Sequence, residues 1–131
     1  MATLARRRLD GAIAGDMRAC PVRTAAAGGI LAFYSVIHLR RGELPAVLRE
    51  FHRMLRPMGT MLLSAHEGAG ELSVDEFLGE RTPFTATLFA LDELTDAAAG
   101  TGFEIVRAER RAPYPSEHPT FRLYVEGRRR T

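Results

Sequence analysis

The chain has 131 residues, of which 46% are hydrophobic and 26% charged. That is the composition and modal length of one soluble globular domain spanning 1–131, with room for one core and not two. A formal net charge of only +2 and a single cysteine, Cys20, argue against a phosphate-binding surface and exclude an internal disulfide, as expected of a reducing, cytoplasmic compartment.

All 18 basic residues are arginine. They cluster at Arg6 to Arg8 and at Arg128 to Arg130, near the chain ends, without the aromatic interleaving of a nucleic-acid site, so both clusters read as solvated tails. After Arg8 the apolar residues are interrupted by Asp10, Gly11, Gly15 and Asp16, which leaves neither a secretory h-region nor a membrane span. Neither nucleic acid nor membrane is an expected partner.

In chain order, Ala12 to Ala14 reads as a short buried strand ending at Gly15-Asp16. Ile30 to Ser35 is an apolar run behind Gly28-Gly29, suited to a strand covered on both faces. From Glu43 to Leu55 the residues Leu44, Val47, Leu48, Phe51 and Leu55 recur at helical spacing, with Pro45 in the first turn and Pro57 as the stop. Thr60 to Ala65 is a second buried strand, and strand–helix–strand is the pattern of a right-handed crossover in a parallel sheet. Ser73-Val74-Asp75-Glu76 has capping-box spacing and predicts a short helix to about Glu80. Asp92 to Ala99 predicts a helix closed by Gly100 and Gly102, and Phe103 to Ala108 a strand. In Thr120 to Gly127, Phe121, Leu123 and Val125 alternate with Arg122, Tyr124 and Glu126, a strand with one wetter face. The loop from Pro113 to Pro119 makes these last two strands antiparallel neighbours. The order is that of an α/β protein.

Three segments in succession carry a resemblance: Gly15-Asp16-Met17-Arg18, then Ile30 to His38, then Arg53-Met54-Leu55-Arg56-Pro57-Met58-Gly59-Thr60. From about Ala12 to Arg129 the chain resembles the second half of a class I S-adenosylmethionine-dependent methyltransferase of the small-molecule type. No Gly-x-Gly-x-Gly loop precedes Gly15. The resemblance therefore implies a truncated three-layer Rossmann-like fold, mostly parallel, with an antiparallel C-terminal strand. It would supply the family's strands three to seven and lack the first two. The family pattern has Phe-Asp where this chain has Ala27-Gly28, and Pro-Gly-Gly where it has Pro57-Met58-Gly59. A methionine is strained there if the position needs positive φ.

The resemblance also implies site residues. Asp16 falls where a carboxylate accepts from the adenine amino group, and Met17 where the chain meets the adenine ring. Tyr34, Ser35 and His38 fall at the carboxyl end of the family's fourth strand, bordering the methionine end of the cofactor and the acceptor. A neutral imidazole takes a proton from a hydroxyl or amine at pH 7, which makes His38 a candidate general base. Its alternative is a packed histidine at a helix start. His66-Glu67 would face the same cleft. The apolar segment from Phe77 to Leu91 would form a lid over an apolar acceptor or an interface with another protein.

No histidine pair has metal-ligand spacing, so no metal is expected, and Ser35 lacks the flanking glycines of a nucleophile elbow. The expected activity is methyl transfer from S-adenosylmethionine to a small acceptor. The alternative is a non-catalytic methyltransferase-like protein acting through homo-oligomerisation or a partner chain. An unpaired Ile30 to Ser35 edge predicts a homodimer or a complementing chain.

Overall fold

The computed structural model describes residues 14–74 and 84–131. The elements are β1 (Ala27–Phe33), α1 (Leu44–Met54), β2 (Leu55–His66), β3 (Glu71–Val74), β4 (Phe84–Thr87), α2 (Leu91–Gly100), β5 (Phe103–Arg111) and β6 (Arg122–Arg129). Single 3-10 turns at Val36–His38 and Arg41–Glu43 join β1 to α1.

Helix α1 forms where the apolar spacing predicts it. Leu44, Val47, Leu48, Phe51 and Met54 are its buried stripe, and Pro45 lies in the first turn, where the missing N–H breaks no bond. The helix gives way to extended backbone at Leu55. Its last carbonyls are taken by Arg129, whose Nη1 donates to the oxygens of His52 at 2.9 Å and Leu55 at 2.6 Å. A guanidinium at a helix C-terminus both satisfies orphan carbonyls and opposes the negative end of the dipole. The C-terminal arginines are thus not a solvated tail: Arg128 and Arg129 belong to β6, and Arg130 reaches Glu104 at 3.2 Å. Arg6 to Arg8 lie outside the described residues.

The main sheet runs β1-β2-β6-β5, with β1 and β2 parallel and β6 antiparallel to both β2 and β5. In the sheet order 3-2-1-4-5-7-6 that the resemblance implies, these are strands four, five, seven and six. The strands expected from Ile30, Thr60, Phe103 and Thr120 are all present. The β1–β2 ladder is continuous from Gly29 opposite Thr60 to Phe33 opposite Ser64, and residues 56–58 bulge out of it. Met58 occupies that bulge at φ +69° and is 61% exposed, so the methionine does hold a left-handed conformation. At the α2–β5 turn the requirement for glycine is double. Gly102 has φ +100°, and a Cβ there would stand 2.9 Å from His52 Nε2.

The helices touch each other as well as the sheet, which places both on one face. Against them lie Met61, Leu63 and Ala65 of β2 and Leu123 and Val125 of β6, all fully buried. On the opposite face Leu31 is 74% and Phe33 52% exposed. Strand β1 is therefore covered on one face, not on both as its apolar run suggests.

Residues Ser73 and Val74 do not begin a helix. They pair with Thr85 and Phe84 in a separate two-stranded sheet of β3 and β4. The apolar alternation of Leu72 and Val74 competes with the local cap here, and the cross-strand partner decides it. The remainder of the expected helix, from Asp75, lies outside the described residues, as do Phe77 and Leu78 of the expected lid and Ala12 and Ile13 of the first expected strand. Ala14 is not in a strand. Phe89 is fully buried and packs in the core. Thr87 Oγ1 donates to the carbonyl of Leu39, and Arg41 pairs with Glu93, which fastens the hairpin and α2 to the turns after β1.

Candidate active site

Strands β1, β2 and β5 end, and β6 begins, at the same edge of the sheet. Tyr34, the first residue after β1, has φ +52°. A tyrosine pays for this conformation, of order 1 kcal/mol, and three contacts hold it there. Its N–H donates to the carbonyl and hydroxyl oxygens of Ser64, each at 3.1 Å. Its ring stacks on His66, with centroids 5.0 Å apart and planes at 27°. Its hydroxyl lies 3.2 Å from that of Tyr124.

Below this lid of rings is a polar network. His66 Nδ1 is 2.8 Å from Thr120 Oγ1 and 2.9 Å from Nη1 of Arg122. A guanidinium has no lone pair to offer, so Nδ1 accepts and the ring proton sits on Nε2. Burial, then the charge of Arg122, pushes the His66 pKa down to about 4. At neutral pH His66 is uncharged and offers a donor, not a base. Arg122 is only 5% exposed and also donates to the carbonyls of His118 at 3.2 Å and Thr120 at 3.0 Å. Its buried Nε makes no hydrogen bond and lies 3.5 Å from Glu117 Oε2.

Arg111 completes the group from the end of β5. Its two terminal nitrogens contact the Glu117 carboxylate at 3.0 and 3.3 Å, and Nη2 also donates to the Tyr124 oxygen at 3.2 Å. The pair of guanidinium bonds from Arg111, with the N–H of Tyr114, lowers the Glu117 pKa to about 2. The two phenols are moved in opposite directions. Burial raises Tyr34, and its bond to Tyr124 raises it further, whereas the hydrogen bonds with Tyr34 and Arg111 lower Tyr124.

The residues expected at the site divide into two groups. Tyr34 joins the network just described, and Ser35 follows it at the start of the 3-10 turn, its carbonyl accepting from His38 N–H at 3.2 Å. His38 is an exposed residue at the end of that turn. Asp16 belongs to a different cluster: Oδ1 accepts from Arg18 N–H at 2.9 Å and Nε at 3.0 Å, Oδ2 from Nη2 at 2.9 Å, and Arg18 also pairs with Glu43. These bonds hold the Asp16 carboxyl below its usual range. Met17 is partly buried against the core. Glu67, expected beside His66, turns to Arg110, with Oε1 2.7 Å from Nη2. His66, Arg111, Glu117, Thr120, Arg122 and Tyr124 assemble from β2, β5, β6 and the loop between the last two. The sequence marks His66 by its place after the Thr60 to Ala65 strand and Arg122 and Tyr124 by the wetter side of β6, and gives no signal for Arg111 or Glu117. Cys20 is partly buried, and burial raises its thiol pKa, so it is not an activated nucleophile.

Among the described residues no group of three or more His, Cys, Asp or Glu could hold a metal ion, and no helix is long and apolar enough to cross a membrane.

No family model matches the sequence, and no curated protein matches it. Solved structures do match. An S-adenosylmethionine-dependent methyltransferase from Methanosarcina mazei aligns over 98% of this chain and 77% of its own, with TM-score 0.81 and 12% identity. The 1,6-didemethyltoxoflavin-N1-methyltransferase of Burkholderia thailandensis, solved with 1,6-didemethyltoxoflavin and S-adenosylhomocysteine, aligns over 99% of this chain at TM-score 0.71 and 20% identity. This chain spans only 56% of that protein. A Haloferax volcanii protein described as a methyltransferase, in complex with a methyltransferase activator, aligns over 100% of this chain and 68% of its own, at TM-score 0.71 and 16% identity. The described chain has the fold of the class I S-adenosylmethionine-dependent methyltransferases, with the strand order of their second half.

Proposed function

We propose that this chain provides the acceptor side of an S-adenosylmethionine-dependent methyl transfer to a small molecule. The observation that carries the proposal is Tyr34: a strained residue at the carboxyl end of a parallel strand, where ligands of open α/β sheets bind, held by Ser64 and His66 and touching Tyr124. In this reading Tyr34 and Ser35 border the methionine end of the cofactor, while Asp16 and Met17 meet the adenine. The residues fit that role with one exchange, because the adenine amino group must displace Arg18 from Asp16. An ion pair this exposed is worth little, so the exchange is not prohibitive. The bound cofactor would supply an electrophilic methyl group. His66 donates from Nε2 and orients the acceptor, and His38, which ends the 3-10 turn after β1, is one of two candidates for the base.

Calorimetry with S-adenosylmethionine tests this placement. The chain carries no Gly-x-Gly-x-Gly loop, so binding is expected near the millimolar level, about −4 kcal/mol. Asp16→Ala is expected to weaken it by about 1 to 2 kcal/mol through loss of a charge-assisted bond. A dissociation constant near 10 μM, about −7 kcal/mol, that survives Asp16→Ala would place the cofactor elsewhere.

The exposed Leu31 and Phe33 on edge strand β1 favour a second reading, in which the chain acts through a homodimer or a partner chain. The methyltransferase–activator complex from Haloferax volcanii is a precedent in this fold for a partner. Light scattering separates the outcomes: twice 14.5 kDa supports the homodimer, and a concentration-independent 14.5 kDa rejects it.

A further inference from the structure

We propose that Tyr124, held between Tyr34 and Arg111, is the proton acceptor of the site and that the acceptor molecule carries an acidic hydroxyl, as in a phenol or an enol. This inference rests on the reading of the site given above and names its substrate class. Tyr124 is poised by geometry. Its oxygen lies 3.2 Å from the Tyr34 hydroxyl at the end of β1, where either phenol can donate, and accepts a guanidinium N–H from the end of β5, also at 3.2 Å. A Tyr124 phenolate can only accept, so Tyr34 then donates to it beside the fixed cation Arg111, and two such donors favour the phenolate as donors in an oxyanion hole favour a developing anion. Both contacts are long, as catalytic hydrogen bonds often are before a substrate tightens them.

The surroundings of Tyr124 reach it from every neighbouring strand. On β5, Arg111 contacts it directly and Glu109 stands opposite it in the ladder. On β2, Ser64 is its ladder partner, and His66, neutral above about pH 4, lies beyond Tyr34. Its own strand carries Arg122 and Glu126, and the loop supplies Glu117, which opposes the phenolate but is already engaged by Arg111. An open depression lined by Leu62, Arg107, Glu109, Tyr124 and Glu126 adjoins the Tyr124 ring.

The chemistry follows from the nearest charge. The Arg111 guanidinium disfavours an ammonium acceptor and favours one that becomes anionic. In the step, the acceptor O–H bond breaks and its proton forms a bond to the Tyr124 phenolate oxygen. The O–H electron pair stays on the acceptor oxygen and forms the new O–C bond to the methyl carbon. The C–S bond breaks with its pair passing to sulfur, which changes from sulfonium to thioether. Tyr124 then returns its proton to water.

The test uses the three tyrosines, Tyr34, Tyr114 and Tyr124, and needs no methyl donor. Tyrosinate absorbance is followed as the purified chain is titrated with base. One tyrosine is expected to ionise in a separate step below the ordinary phenol value of about 10. Tyr124→Phe should remove that step and Tyr114→Phe leave it. Tyr34→Phe and Arg111→Gln should each move it upward, with circular dichroism confirming the fold of each variant. Three tyrosines ionising together, or a low step that Tyr34→Phe and Arg111→Gln leave in place, would overturn the inference. Because cofactor binding is measured separately, loss of this inference and loss of the cofactor placement are distinguishable.

Discussion

The two faces of one sheet are built on opposite terms. On the helix side, Met61, Leu63, Leu123 and Val125 are fully buried against α1 and α2, while on the other side Leu31 and Phe33, one residue removed along β1, stand in solvent. Strand alternation puts neighbouring residues on opposite faces, so apolar character alone does not decide burial; what covers each face does. The open face is dry only at its carboxyl end. There Tyr34 and the residues before β6 enclose His66 and Arg122, and the polar network assembles.

The sharpest contrast is between leucines on the two faces. Leu63→Ala is expected to destabilise the chain by about 2 to 5 kcal/mol through lost burial and a residual cavity. Leu31→Ala should change stability by no more than about 0.5 kcal/mol. Denaturant midpoints at unchanged slope measure both. A large loss at Leu31 would mean that a second chain covers the open face.

Acid should act on the enclosed corner of the open face. His66 has a folded pKa of about 4 against 6.5 unfolded, so the unfolded chain takes up its proton first as pH falls. The neutral His66 therefore contributes stability that is complete above pH 6.5, declines as pH falls towards 4, and changes no further below it. The loss is at most about 3 kcal/mol and is reduced by partial exposure. His66→Asn should flatten the dependence of stability on pH within that window. An unchanged slope would mean that His66 is not enclosed.

A small effect of opposite sign is expected outside both faces. Met58→Gly removes the strain of a left-handed side chain but adds freedom to the unfolded state, leaving a net stabilisation of up to about 1 kcal/mol. A thermal midpoint that falls on this substitution would show that the exposed methionine is held by packing.

Much of this organisation is legible in the sequence. The apolar period of α1, the two parallel strands around it and the final antiparallel pair follow from spacing and turn residues, and Met58 announces its strain by standing beside Gly59. Three features are not legible. Ser73 carries a good capping signal that a strand partner at Thr85 overrides. Arg129 resembles tail charge but caps α1, 74 positions from Leu55 in sequence. The candidate site is divided: the expectations at Asp16, Met17, Ser35 and His38 rest on local motifs, whereas the Tyr34–Tyr124 contact spans 90 positions. Only the register of β2 against β6, which sets Ser64 opposite Tyr124, brings it about.

The most direct test of the account is an NMR titration of the isotope-labelled chain with S-adenosylhomocysteine at millimolar concentration. The account predicts shifts concentrated at Tyr34, Ser35 and His66, with a second group at Asp16 to Arg18, and little change on the helix side of the sheet. Shifts confined to other surfaces, or none at all, would contradict it.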